Sequence, residues 1–119
     1  MKALVVGNGK SGKCAKKLLK KMGYKVKVVE NDNDVLDIER DRLLTGLSLL
    51  VLSPAVSLDN KLVKEARKRK IKVVGEFELG TNQIFGDKIA ITGTNGKTTV
   101  TTMIGEIFKN EYKKVFVGG

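Results

Sequence analysis

Residues 3–12 read ALVVGNGKSG. The apolar run Ala3 to Val6 stops at Gly7. Beyond it Ala15, Leu18, Leu19 and Met22 recur at helical spacing among lysines at 10, 13, 16, 17, 20 and 21, until Gly23 ends the pattern. A buried-type strand that turns through glycine into an amphipathic helix is the first half of a β-α-β unit. The turn, Gly7-Asn8-Gly9-Lys10-Ser11-Gly12, has the spacing G-x-G-x-x-G. In such a turn the first glycine permits the bend, the second lets backbone approach a diphosphate, and the third lets the helix pack on the strand. The first amides of the helix then face the anion. Glu30 closes the next run, KVKVVE, at the separation where an acidic side chain meets a ribose hydroxyl. The motif indicates a nucleotide diphosphate without choosing the nucleotide. The plainer reading is a turn that needs its glycines for backbone reasons only.

Working outward, LSLLVLSP is another buried-type run, closed by Pro54, the only proline. Asp59 or Asn60 caps a helix carrying Leu62, Val63 and Ala66, and IKVVGE supplies a further strand. Strands alternating with helices imply a Rossmann-like parallel sheet with right-handed crossovers. Between Asn31 and Thr45 two readings stand: a short strand through Val35, Leu36 and Ile38, or a helical turn in IERDRLL. Residues 77–87 read as a short helix and a connector. The expected organisation is an α/β domain over residues 1–80 and the beginning of a second over 81–119. In the latter KIAIT is a strand, GTNGK a turn, Thr98 to about Lys109 a helix, and KKVFVGG a strand.

That second turn is a phosphate loop of unusual length. Residues 90–102 read AITGTNGKTTVTT, and the common P-loop would need glycine where Ile91 stands. What remains, Gly93-Thr94-Asn95-Gly96-Lys97-Thr98, still places backbone amides around phosphates. Lys97 reaches the terminal phosphates, and the Thr98 hydroxyl joins a magnesium shell.

Composition narrows the classes. At 119 residues there is room for one ordinary domain, not two complete ones. No run of about 18 apolar residues occurs, and MKALVVGNGK lacks the apolar core of a signal peptide, which predicts a cytoplasmic protein away from membranes. Cys14, the single cysteine, makes neither an internal disulfide nor a thiolate metal site, and is expected to pack within a helix. The net charge of +10 raises nucleic-acid binding, but six scattered aromatic residues form no stacking platform, and the lysines read as solvated helix faces that attract small anionic nucleotides.

The run ITGTNGKTTVTT resembles the ATP-binding loop of the Mur ligase family, a shortened relative of the P-loop. Residues 50–79, LVLSPAVSLDNKLVKEARKRKIKVVGEFEL, together with the G-x-G-x-x-G at the start, resemble the branch that joins D-glutamate to UDP-N-acetylmuramoyl-L-alanine in peptidoglycan synthesis. The resemblance covers essentially the whole chain. It implies a three-domain enzyme that binds UDP-sugar in its first domain, ATP and magnesium in its second, and the amino acid in its third. By position, Gly7, Gly9, Lys10, Ser11 and Gly12 meet the diphosphate, Glu30 and Asn31 the uridine, and Ser53, Pro54 and Ala55 the uracil. Gly93, Thr94, Asn95, Gly96, Lys97, Thr98 and Thr99 form the ATP loop, with Lys97 catalytic and Thr98 the magnesium ligand. In the intact enzyme Lys97 and magnesium assist phosphoryl transfer from ATP to the substrate carboxylate, which D-glutamate's amine then attacks. Two departures are Ala55, where the family usually has glycine, and the short segment between Glu30 and Leu47. The chain is therefore expected to be the N-terminal part of such a ligase, inactive by itself and prone to self-association through its second unit. The rivals are a regulatory module for NAD or another dinucleotide, and a basic P-loop protein acting on nucleic acid.

Overall fold

A computed structural model describes residues 1–30 and 37–118. The chain divides into two compact units, Met1–Phe85 and Gly86–Gly119.

The first unit is built on four parallel strands, β1 (Lys2–Val6), β2 (Lys25–Val29), β3 (Leu49–Leu52) and β4 (Lys72–Gly75), in the order β2-β1-β3-β4. Residue alternation along the strands divides the core between two faces. Val5, Leu49, Val51 and Val74 pack with Ala15 and Leu19 of α1 (Lys10–Lys21) and with Leu79 of α4 (Glu76–Thr81). Leu4, Val6, Leu50 and Leu52 pack with Leu44 of α2 (Asp37–Leu44) and with Leu62, Val63 and Ala66 of α3 (Lys61–Lys68). All four β3 residues are buried, as a central strand covered on both faces requires.

The helix ends follow local chemistry. Asn60 is the cap of α3: its side-chain oxygen accepts from the amides of Leu62 at 2.9 Å and Val63 at 3.4 Å. Helix α1 stops at Met22, with Gly23 at φ +85° turning the chain into β2. At the end of α3, Arg69 donates to Asp41 at 2.7 Å and Glu65 at 3.0 Å, which ties α3 to α2 and holds the guanidinium above its ordinary pKa.

Two expectations are corrected. Cys14 is exposed, because α1 buries the stripe Gly12, Ala15 and Leu19 and position 14 lies off it. In the second unit α5 spans Lys97–Glu111, but neither residues 88–92 nor residues 113–118 form a strand. A lone pair of parallel strands beside a single helix leaves one face and both edges uncovered, which is too little to hold a ladder. Of the two alternatives for residues 31–45, the helical turn is realised as α2, while Val35 and Leu36 lie outside the described residues.

The segment after α5 nevertheless returns onto that helix. A Cβ built at Gly105 would lie 2.5 Å from a Val117 methyl carbon, so glycine is what permits the approach. Gly105→Leu is expected to detach residues 113–118 and to speed their amide exchange by about tenfold or more, leaving the first unit unchanged. Hydrogen-exchange mass spectrometry reads this directly; unchanged exchange at Val117 contradicts it.

Candidate nucleotide-binding site

The strand registers place Val29, Val6, Leu52 and Gly75 in one row at the carboxyl ends of β2, β1, β3 and β4. The next residue on each strand is Glu30, Gly7, Ser53 and Glu76 respectively. Because β2 lies on one side of β1 and β3 on the other, the strand order reverses at β1. A crevice outside the carboxyl ends at such a reversal is where open α/β sheets bind ligands. The glycine turn is anchored on both sides of it: the Gly7 amide donates to Val29 O at 2.8 Å, and the Ser53 amide donates to Val6 O at 2.9 Å.

The three glycines separate into two kinds. Gly7 has φ +108°, and a Cβ there would lie 2.4 Å from the Ser53 Cβ. A Cβ at Gly12 would lie 2.0 Å from the Gly7 carbonyl oxygen. Both are required by the chain itself. Gly9 is not: its φ of −66° and ψ of −172° suit any residue, and a Cβ there would meet none of the described residues within 4 Å. The bare backbone at Gly9 opens onto free space next to the start of α1, which no side chain caps. The first intrahelical bond there is from Lys13 N to Gly9 O, so the amides of Lys10, Ser11 and Gly12 are the orphan donors of that helix end. Such an end favours an anion.

Around this cradle the structure brings together the sequence-derived residues Gly7, Gly9, Lys10, Ser11, Gly12, Glu30, Ser53, Pro54 and Ala55. Ser11 and Ser53 hydroxyls lie 3.3 Å apart. Asn8 Nδ2 donates to Glu30 Oε1 at 3.1 Å, so the carboxylate that closes β2 also steadies the turn. Ser53 is buried, while Pro54 and Ala55 are exposed on a turn in which the Val56 amide donates to Ser53 O at 3.0 Å. Asn31 lies outside the described residues. Glu76 joins the row without having been expected there. The signal that points to it is its place directly after a strand, shared with Glu30 and Ser53. A hollow between α2 and α3 is lined in part by Asp41, Glu65 and Arg69; Arg69 pairs with both carboxylates, which makes a solvated ionic surface.

The second unit carries Gly93 to Thr99. Gly96, at φ +75°, caps α5 in the left-handed region that favours glycine. The Lys97 ammonium folds back to donate to the carbonyl of Gly93, and approaches that of Thr94 at 3.5 Å. Thr101 and Thr102 hydroxyls donate back to the Lys97 and Thr98 carbonyls at 2.7 and 2.9 Å. The first intrahelical bond runs from Val100 N to Gly96 O, which leaves the amides of Lys97, Thr98 and Thr99 as helix-end donors. Among the described residues no group of three His, Cys, Asp or Glu side chains is placed to hold a metal, and no helix is long and apolar enough to cross a membrane.

Residues 91–119 match the family model described as Mur ligase middle domain. The chain is 41% identical over 136 residues to the UDP-N-acetylmuramoylalanine--D-glutamate ligase of Lachnoclostridium phytofermentans, a match covering 99% of this chain and 30% of that protein. It is 38% identical over 137 residues to the same-named protein of a Thermoanaerobacter species, again over 99% of this chain and 30% of the relative. The relative from Fusobacterium nucleatum is 41% identical over 123 residues, covering 98% of this chain and 28% of its own length. The chain thus spans about 30% of the length of the curated relatives it matches. Both glycine turns lie inside the matched span, and the chain is similar to these ligases over essentially its whole length.

Proposed function

We propose that this chain supplies the nucleotide-sugar site and the phosphate loop of a cytoplasmic ATP-dependent ligase that joins D-glutamate to UDP-N-acetylmuramoyl-L-alanine in peptidoglycan synthesis. The observation that carries the reading is Gly9. Its flanking glycines are demanded by packing, whereas Gly9 is bare backbone facing open space beside uncapped amides. A diphosphate seated there accepts from the amides of Lys10 to Gly12 and is neutralised by Lys10. Ser53, Pro54 and Ala55 flank the base and Glu30 faces the ribose.

ATP fits the second loop by its donor set: the amides of Lys97, Thr98 and Thr99 and the Lys97 ammonium all suit phosphate oxygens. ATP, when bound, supplies the phosphoryl group that activates the substrate carboxylate. Lys97 leaves its carbonyl contacts to hold the phosphates and offset their charge, and the Thr98 hydroxyl is the candidate magnesium ligand in this chain. The rest of the chemistry is positioning, which in reactions of this type contributes roughly 7 to 11 kcal/mol.

Calorimetry distinguishes this from a dinucleotide-binding module. UDP-N-acetylmuramoyl-L-alanine is expected to bind and NAD is not; the reverse order of affinities overturns the proposal. A non-hydrolysable ATP analogue with magnesium is expected to bind weakly and to lose about tenfold or more of its affinity in Lys97→Ala, since a charge-assisted phosphate contact is removed. Unchanged affinity in that variant rules out the role given to Lys97.

A further inference from the structure

The row of residues ending the four strands carries a carboxylate at each side, and the two differ. Glu30 is exposed and accepts from Asn8. Glu76, the first residue of α4, has both carboxylate oxygens buried without a hydrogen-bond partner among the described residues. Its side chain sits under the first turn of α1: a Cβ at Gly12 would lie 3.5 Å from Glu76 Oε1. An acidic group left without a donor at the end of a helix offered to an anion opposes that anion. Its place calls for a purpose, since uncompensated buried carboxylates are rare.

We infer that Glu76 sets the charge selectivity of the glycine-turn cradle, favouring diphosphate diesters, such as nucleotide sugars, over free nucleoside diphosphates. This rests on the proposed nucleotide-sugar site. A free nucleoside diphosphate carries a further negative charge on its terminal phosphate, which a diester lacks. Lys10 and the α1 amides attract the extra terminal-phosphate charge of the free diphosphate, and Glu76 offsets that preference by repelling the same charge at the diphosphate. A unit charge within about 8 Å of a carboxylate, at an effective dielectric near 20, alters affinity by about thirtyfold before screening and about three- to tenfold after it. Because Glu76 has no partner to lose among the described residues, Glu76→Gln keeps the shape and removes the charge. Glu76→Asp keeps the charge.

The test is calorimetry of the whole chain with UDP and with UDP-N-acetylmuramoyl-L-alanine, without divalent cations. In Glu76→Gln the preference for the nucleotide sugar over UDP is expected to shrink about three- to tenfold, chiefly through tighter UDP binding, and in Glu76→Asp to stay near the parent value. Binding of both ligands at an unchanged ratio in Glu76→Gln overturns this inference alone. Loss of both ligands in a Glu76→Gln chain with unaltered circular dichroism also overturns it, because the carboxylate would then support binding rather than filter it. If the parent chain binds neither ligand, the proposed site falls and the inference with it.

Discussion

Gly12→Ala is expected to destabilise the first unit by about 3 kcal/mol or more, a large share of the roughly 5–15 kcal/mol typical of small domains. The added methyl carbon would fall 2.0 Å from the Gly7 carbonyl oxygen. That partner is backbone, and it cannot swing away as a flexible side chain would. Gly7 is itself tied to Val29 through its amide, and its own position against Ser53 leaves no room for retreat. Relief therefore requires α1 to lift from β1, which opens the packing of Ala15 and Leu19 against the sheet. Chemical denaturation followed by circular dichroism measures the loss. A midpoint within a few tenths of a molar of the parent contradicts the packing described.

Gly9→Val should behave in the opposite way. Its backbone angles are ordinary and its surroundings empty, so stability is expected to change by no more than about 1 kcal/mol, the scale of an altered helix cap. Binding of UDP-N-acetylmuramoyl-L-alanine is expected to fall by about a hundredfold or more, because the branched side chain fills the space where the diphosphate meets the amides of α1. The two substitutions, three residues apart in one motif, separate a glycine kept for folding from one kept for a ligand. Equal losses of stability in both variants would remove the distinction.

Much of the first unit is legible in the sequence because local pattern and tertiary role coincide there. The runs at Ala3 to Val6 and Leu49 to Leu52 are continuous apolar stretches, as strands buried on both faces must be. The two-sided pattern from Lys10 to Lys21 marks α1 in the same way. The strands expected at KIAIT and KKVFVGG do not form, since an apolar pattern records what a segment can bury and not whether neighbours exist to pair with it. Cys14 departs from expectation because its residue type suggests burial while its position on α1 faces outward. The place of Glu76 after a strand is legible in the sequence, but its burial is not, because nothing in a single chain marks a carboxylate as buried; the aligned strand ends bring it beneath Gly12.

The most direct test of the central claim, that the strand-end row and the start of α1 seat a nucleotide diphosphate, is amide chemical-shift mapping of the chain during titration with UDP-N-acetylmuramoyl-L-alanine. Saturable shifts are expected at Gly7 to Lys13, at Glu30 and at Ser53 and Ala55, and are expected to vanish in Gly9→Val. Shifts confined to Gly93 to Thr99, or none at millimolar ligand in a folded chain, would contradict the account.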